Sequence, residues 1–280
     1  MTNYPLPPPV LYSYSPGGSW LSDCLAGLSL RFSSRRQFND PFDSRPAYQV
    51  EPGKAGREFI HKRLKRIPSL SPSQRARKLA EFHRHNSVPR PFGDLDTIEI
   101  LDSIGILCLT EEWDEPLFWG HYGAKHTGIC IGFRTDRDVF QLARKISYQP
   151  DLPVIVRPRD TDDEMISKTF LTKSSAWEYE KEWRIIKQWV PKHMREHDLA
   201  TLGYLDPEHL RLIADQRGAG IYSFDPTAIE SLTMGMFISP EHRRTVIECV
   251  KTAPHSITLY ETTRDSSRYK INRHQVKIRR

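Results

Sequence analysis

The stretch Ile104–Thr110 (IGILCLT) decides the fold, because it is a nearly continuous apolar run of the length that a central β-strand has. A second buried run of this kind is Gly128–Phe133 (GICIGF). Val10–Tyr14 (VLYSY) and Glu182–Gln188 (EWRIIKQ) also have the pattern of strands, whereas Pro240–Thr252 has that of a helix. Strands and helices are mixed without a regular βα repeat. The sequence therefore predicts an α+β fold.

The amino-terminal part of the chain predicts a strand, a short helix and a second strand in succession. After VLYSY, residues 19–26 have the pattern of a helix that Ser19 caps. Leu28–Ser33 (LSLRFS) alternates apolar and polar residues, as a half-buried strand does. The loop Phe38–Asp43 (FNDPFD) follows, and its Asn39-Asp40-Pro41 segment predicts an Asx-type turn. We expect this loop to form part of the wall of any pocket.

Composition places the chain among globular proteins. Of its 280 residues, 38% are hydrophobic and 27% are charged, which excludes a disordered or fibrous chain. There is no apolar run near the roughly 20 residues that a membrane span needs, and we expect no secretory signal. Four widely spaced cysteines predict free thiols in a reducing compartment. We therefore expect a cytoplasmic protein with one α+β domain over residues 1–280, preceded by a flexible lead at 1–9.

The positive charge is concentrated in two segments. The chain has 41 basic and 35 acidic residues, a surplus of +6. Residues 54–94 contain eleven Lys or Arg and three Asp or Glu, a local surplus of +8, and they overlap a predicted helical insertion at 55–100. The basic tail at 264–280 contains seven basic residues and one acid. Such segments suit an anionic partner, although a solvated helical face has the same pattern.

Polar and aromatic residues crowd against several predicted strands, and their combination resembles a known family. The motifs are FNDPFD at 38–43, HY-x3-H-x-G-x-x-IGF at 121–133 and W-x-YE-x-EWR at 177–184. Together they resemble the bacterial domain-of-unknown-function family twenty-nine seventy-one, over about Leu11 to Tyr269. The resemblance implies an intracellular bacterial or phage-related protein and leaves its reaction open.

A second resemblance is to the ADP-ribosyltransferases, whose split mixed β-sheet core clamps NAD. In that superfamily a strand with a His or Arg, a helix and a strand ending in Ser or Tyr come before a strand with a catalytic Glu. Here VLYSY, residues 19–26, LRFSS at 30–34 and Glu182 occur in that order. The Glu180-x-Glu182 spacing also resembles the acid-x-Glu pair of the arginine-modifying branch. VLYSY departs from the pattern because it lacks the His or Arg, which Tyr12, Tyr14 or Arg31 would replace.

This second resemblance implies an NAD-dependent enzyme, of the toxin or defence-effector kind, that uses NAD as a substrate. Glu182 would stabilise the positive charge that develops on the ribose, and Glu180 would orient or deprotonate an acceptor, which could be a protein or a nucleic acid. Two residues apart on an extended chain, the two acids would face the same side. A tyrosine could stack on the nicotinamide and Arg31 could neutralise the diphosphate. The expected NAD-binding residues are Tyr12, Tyr14, Arg31, Ser33, Asn39, His121 and Tyr122.

Other interpretations of these residues stay open. Glu180 and Glu182 could instead pair with Lys181 and Arg184 at a surface edge. The separation of five between His121 and His126 does not suit a metal pair, and we expect no metal. The alternative function is a non-enzymatic binding module, in which the basic insertion, including residues 62–66, binds nucleic acid or a protein.

Overall fold

The structure is a computed structural model that describes residues 5–18, 20–65, 70–85, 89–91, 101–187 and 218–278. The chain divides into two compact units. The first unit comprises Met1–Gln37, Ser103–Ile146 and Glu178–Arg280, and the second comprises Phe38–Asp102 and Ser147–Trp177. The single domain expected over residues 1–280 stays a prediction.

Helices and strands are mixed along the chain, which confirms the α+β class. The helices of the described residues are α1 (Leu21–Leu25), α2 (Lys54–Lys65), α3 (Pro72–His85), α4 (Pro116–His121), α5 (Asp162–Phe170) and α6 (Pro240–Thr252). The strands are β1 (Val10–Ser15), β2 (Leu30–Phe32), β3 (Ala47–Val50), β4 (Arg90–Pro91), β5 (Gly105–Thr110), β6 (Ile129–Arg134), β7 (Arg144–Lys145), β8 (Ser147–Gln149), β9 (Val154–Arg157), β10 (Thr172–Ser174), β11 (Glu182–Lys187), β12 (Gly220–Tyr222), β13 (Ile229–Met234), β14 (Thr258–Arg264) and β15 (Ile271–Gln275). No helix of the described residues has the length and apolar character that crossing a membrane requires.

The first unit is built on a mixed eight-stranded sheet with the order β15-β14-β13-β6-β1-β5-β11-β7. Only the β13–β14 pair is parallel within the described part of this sheet. The apolar runs that predict β5 and β6 do form strands near the middle of the sheet, on either side of β1. Their central position explains their composition, because central strands have little contact with water on either face.

One face of this sheet forms the main hydrophobic core. Residues directly opposite each other on neighbouring strands share a face, and here Leu11 lies opposite Phe133 and Leu109 lies opposite Trp183. All four side chains are buried in one cluster, which also contains Val246 and residues of helix α1. Because the side-chain period of a strand is two, the residues between them must face the opposite side of the sheet.

Two predicted elements of the first unit differ from the observed ones. The helix expected over Glu115–Lys125 ends at His121, because the backbone at Ala124 and His126 has positive φ angles of 49° and 69° that a helix cannot contain. The second amino-terminal strand is limited to β2, which pairs with β12 in a two-stranded sheet of its own.

The second unit contains a three-stranded sheet, β4-β3-β9, a two-stranded sheet, β10-β8, and helices α2, α3 and α5. Helices α2 and α3 coincide with the predicted insertion at 55–100, although α2 begins one residue earlier. Residues 66–69, 86–88 and 92–100 of the insertion lie outside the described part. In the FNDPFD loop the Asp40 carboxylate accepts a hydrogen bond from the backbone N–H of Phe42 at 2.9 Å. This contact is the predicted Asx-type turn.

Candidate functional site

Strands β1, β5 and β11 place a row of polar side chains on the face opposite the main core. Tyr12 and Glu182 both lie opposite Thr110, from its two sides. With a spacing of about 4.8 Å between neighbouring strands, the backbones at Tyr12 and Glu182 are about 10 Å apart. Tyr12, Thr110 and Glu182 therefore form one line across the sheet, within the first unit.

Glu182 is held by a buried arginine on its own strand. Arg184 lies two residues further along β11, so its side chain leaves the same face of the sheet. Its Nε lies 2.6 Å from Oε1 of Glu182, and its Nη2 lies 3.1 Å from Oε2. The exposed fractions of the two side chains are 1% and 4%, which excludes the surface edge as the setting of this pair. This two-point contact holds the carboxylate in one orientation.

Glu180 reaches the site by a different route from the one that the sequence spacing predicts. It ends a 3-10 helix, Ser175–Glu180, and Lys181 has a φ of +41°, so the chain turns before β11 begins. The expectation that Glu180 and Glu182 face one side of an extended strand is therefore wrong in its reasoning. Glu180 is nevertheless buried, and its backbone carbonyl accepts a hydrogen bond from the Thr110 hydroxyl at 2.7 Å.

Lys181 does not pair with either of the two acids in the way that the surface alternative requires. Its ammonium group instead forms an ion pair with Glu112. This bond raises the pKa of the Lys181 ammonium group, and the pair lies on the exposed side of the turn.

Helix α4 supplies Tyr122, whose hydroxyl donates a hydrogen bond to Oε1 of Glu180 at 2.9 Å. The helix begins where the Glu115 side chain accepts a hydrogen bond from the N–H of Leu117, and Pro116 favours the first turn. It ends at His121, so Tyr122 lies at its carboxyl-terminal cap. The short length of α4 thus places a phenol hydroxyl against the second buried acid.

The aromatic residues of α4 also cover Tyr14. The Tyr14 ring stacks on Phe118 at 5.1 Å and meets Trp119 edge-on at 5.0 Å, and its hydroxyl donates to the backbone carbonyl of Glu112. Burial raises the pKa of Tyr14 far above its usual value, so this phenol stays neutral. Cys130 beside it is fully buried, and burial likewise raises the pKa of its thiol. A thiol in this state is a poor nucleophile.

The other residues predicted to bind NAD are spread over the structure. Ser33 exchanges both backbone hydrogen bonds with Ile106, so it shares the face of Thr110. Arg31 is exposed on β2, in the small β2–β12 sheet, and His121 is exposed at the end of α4. Asn39 is exposed in the second unit. Tyr12, Tyr14, Ser33 and Glu182 thus share one sheet face, and Arg31 does not.

Three residues of this face were not among the predicted site residues. Arg184 is the partner of Glu182, Thr110 joins the strands, and Arg273 on β15 lies close to Tyr12. The alternation of Glu182 and Arg184 on a strand could have indicated the first of these. No local pattern could have indicated Arg273, because its position depends on how the last hairpin pairs with the sheet. Among the described residues, no group of three or more His, Cys, Asp or Glu residues could hold a metal ion.

The comparison with family models bears on this site directly. Residues 118–185 match the family described as "Protein of unknown function (DUF2971)". Over these residues, the match supports the resemblance to this family that the motifs predicted. It runs from Phe118 on α4 to Ile185 on β11, so it contains Tyr122, Glu180, Glu182 and Arg184. Neither the curated proteins nor the solved structures gave a match to this chain.

The buried ion pair generates a stability prediction. Glu182→Gln should lower the free energy of unfolding by about 3–5 kcal/mol, because it removes the carboxylate charge that the buried Arg184 guanidinium group binds. Adding Arg184→Met should recover most of this loss, since both charges are then absent. Urea denaturation of the two single variants and the double variant measures this coupling.

Glu178→Gln is the matched control, because Glu178 is an exposed acid in the preceding 3-10 helix. It should change the free energy of unfolding by less than about 0.5 kcal/mol. Additive effects in the double variant would show that the two side chains do not interact as the structure describes.

Proposed function

We propose that the protein is an NAD-dependent ADP-ribosyltransferase-like enzyme, in which Glu182 stabilises the positively charged ribose. The observation that carries this proposal is the buried Glu182 carboxylate, fixed by Arg184 on the same sheet face as Tyr12, Tyr14 and Ser33. The ADP-ribosyltransferase resemblance assigns Glu182 to catalysis, and Tyr12, Tyr14 and Ser33 to NAD binding.

The chemistry needs a negative charge that is already in place. When the bond between the nicotinamide nitrogen and ribose C1′ breaks, its electron pair leaves with the nicotinamide and the ribose becomes a cation. A fixed carboxylate that hydrogen-bonds the ribose 2′-hydroxyl stabilises this cation without reorganising. Each oxygen of a carboxylate can accept more than one hydrogen bond, so an oxygen of Glu182 that binds Arg184 could also accept one from the hydroxyl.

Tyr12 provides the other side of the proposed ribose site. Its backbone lies about 10 Å from that of Glu182, with only Thr110 between them, and a ribose fits across that span. The ring of Tyr12 is half-buried, so part of it faces solvent and could stack on the nicotinamide. Tyr14 is already stacked on Phe118, so it supports this wall of the site rather than flanking the ligand.

Glu180 is the proposed base for the acceptor. An attacking hydroxyl, amine or water forms the new bond to C1′ and passes its proton to the Glu180 carboxylate. The hydrogen bond from Tyr122 fixes this carboxylate at 2.9 Å, and the Thr110 hydroxyl fixes its backbone. The same arrangement could transfer ADP-ribose to a protein or a nucleic acid, as a toxin or defence effector would need. It could also serve the hydrolysis of NAD, with water as the acceptor.

The mechanism predicts a large loss of turnover on a conservative change. Glu182→Gln should reduce nicotinamide release from NAD by about 100-fold to 1,000-fold, because it removes the charge that stabilises the ribose cation. Chromatographic measurement of released nicotinamide provides the rate. The assay must run in conditions where urea denaturation shows the variant to be folded.

Two control variants separate chemistry from stability. Glu178→Gln removes an exposed acid from the same segment, and Ile185→Val weakens β11 from the face of the main core. Both should retain turnover close to that of the unchanged protein. Equal turnover by the unchanged protein and Glu182→Gln would remove the proposed role of this acid.

A second candidate function, binding of nucleic acid, is favoured by the surface of α2. Five basic residues of this helix are exposed, Lys54, Arg57, Lys62, Arg63 and Lys65, against the single acid Glu58. Its buried residues, Gly56 and Ile60, lie one turn apart on the opposite face. A helix of this kind could contact phosphates with its basic face.

Salt dependence tests this second candidate. Lys62→Glu combined with Lys65→Glu should weaken binding to a short labelled duplex DNA and reduce the slope of log affinity against log salt by about two. Lys251→Glu on α6 is the control, because it removes an exposed lysine from the first unit. Binding that does not depend on salt would exclude a phosphate-binding role for α2.

A further inference from the structure

Arg273 on β15 has an unusual environment within the first unit. Its guanidinium carbon lies 4.3 Å from the ring centre of Trp113 and 4.3 Å from that of Tyr260. Two such contacts attract the cation and fix the plane of its side chain. With two rings packed against it, the guanidinium group offers its N–H edge for further hydrogen bonds.

The charge of Arg273 is not neutralised by a neighbouring acid. Within the part of the chain that the structure describes, no carboxylate lies at ion-pair distance from it. The acids nearby on its hairpin have other partners: Glu261 lies 3.1 Å from Arg243, and Asp265 accepts a hydrogen bond from Asn272 at 3.2 Å. Among the described residues, Nη1 of Arg273 is buried and has no acceptor. A buried N–H of this kind is costly unless something accepts its hydrogen bond.

Arg273 also lies next to Tyr12, at the end of the polar row. Burial raises the pKa of the Tyr12 phenol, and the charge of Arg273 acts against that rise, as it does only at short range. A second polar atom without a partner lies on this face: Ser231, of which 1% is exposed, has no acceptor or donor for its hydroxyl among the described residues.

Gly132 lets these groups come together. It lies between Tyr12 and Ser231 in the sheet. A Cβ at this position would lie 2.5 Å from the Ser231 Oγ and 3.1 Å from the Tyr12 ring. The absence of a side chain therefore leaves the space above β6 to the hydroxyl of Ser231 and the ring of Tyr12.

We propose that Arg273, together with Tyr12 and Ser231, forms a phosphate-binding subsite that takes a diphosphate group. A guanidinium edge offers two parallel N–H donors, which match two phosphate oxygens, and the hydroxyls add further donors. That the diphosphate belongs to NAD rests on the proposed function. Arg273 then takes the role that the sequence assigns to Arg31, which is exposed in the separate β2–β12 sheet.

The geometry suits a dinucleotide laid across the strands. The proposed ribose site lies between Glu182 and Tyr12, and Arg273 lies beyond Tyr12 on the side away from Glu182. A diphosphate attached to that ribose would extend past Tyr12 toward the Arg273 guanidinium group. Reaction centre and phosphate subsite thus occupy opposite ends of one polar row.

Calorimetric titration with inorganic pyrophosphate and with ADP tests the subsite without any turnover. The unchanged protein should bind both ligands, and Arg273→Gln should weaken binding about 10-fold to 100-fold, as the loss of charge-assisted hydrogen bonds does. Tighter binding of ADP than of pyrophosphate would indicate that the adenosine part contributes too. Arg268→Gln is the control, because it removes the same charge from the exposed turn of the same hairpin and should leave both affinities unchanged.

Arg273→Lys keeps the charge and removes the paired N–H donors, so it should bind about 10-fold more weakly than the unchanged protein. This variant also provides the test of the subsite if Arg273→Gln does not fold. Failure of the unchanged protein to bind either ligand, or binding by both Arg273 variants that is as tight as that of the unchanged protein, would overturn the subsite. Arg273-dependent binding without NAD turnover would leave the subsite in place and reject the enzyme. Turnover that depends on Glu182, together with an unchanged KM for NAD in Arg273→Gln, would support the enzyme and reject the subsite.

Discussion

The buried ion pair between Glu182 and Arg184 is the interaction on which this account depends. Two charges removed from water need a partner, and here the Arg184 guanidinium group donates hydrogen bonds to the Glu182 carboxylate at 2.6 Å and 3.1 Å. An apolar pair of similar volume would stabilise a strand equally well, so the fold alone does not need these charges. A fixed carboxylate in a site of low polarity is, however, what stabilising a developing cation requires. The proposed chemistry therefore rests on this pair.

The alternation of side chains on β1, β5 and β11 keeps the core and the site apart. Leu11, Leu109 and Trp183 face the main core, and Tyr12, Thr110 and Glu182 face the opposite side. A register slip of one residue would turn the polar row toward the main core and the apolar residues away from it, so the large apolar residues fix the register. The hydrophobic core thus positions the site without contributing any atom to it.

Sequence patterns predicted the strands well and the site in part. The runs of β5 and β6 are apolar because both strands are central in the sheet. An apolar run can be recognised from neighbouring residues alone, without knowing the strand order. Glu182 follows from the pattern of β11, but the position of Glu180 depends on a positive φ at Lys181, which no spacing rule contains. Arg273 reaches Tyr12 only because β14 and β15 pair at the far end of the sheet. Contacts between distant segments of the chain depend on strand order, which periodicity does not reveal.

The most direct test of the account is a crystal structure with a carbocyclic NAD analogue, which cannot release nicotinamide. In this analogue a carbon ring replaces the ribose. The account predicts that this ring lies between Glu182 and Tyr12, with its 2′-hydroxyl within about 3 Å of the Glu182 carboxylate. The analogue's diphosphate should lie on the side of Tyr12 away from Glu182. An analogue bound on another surface, with the Glu182–Arg184 pair untouched, would contradict the central claim.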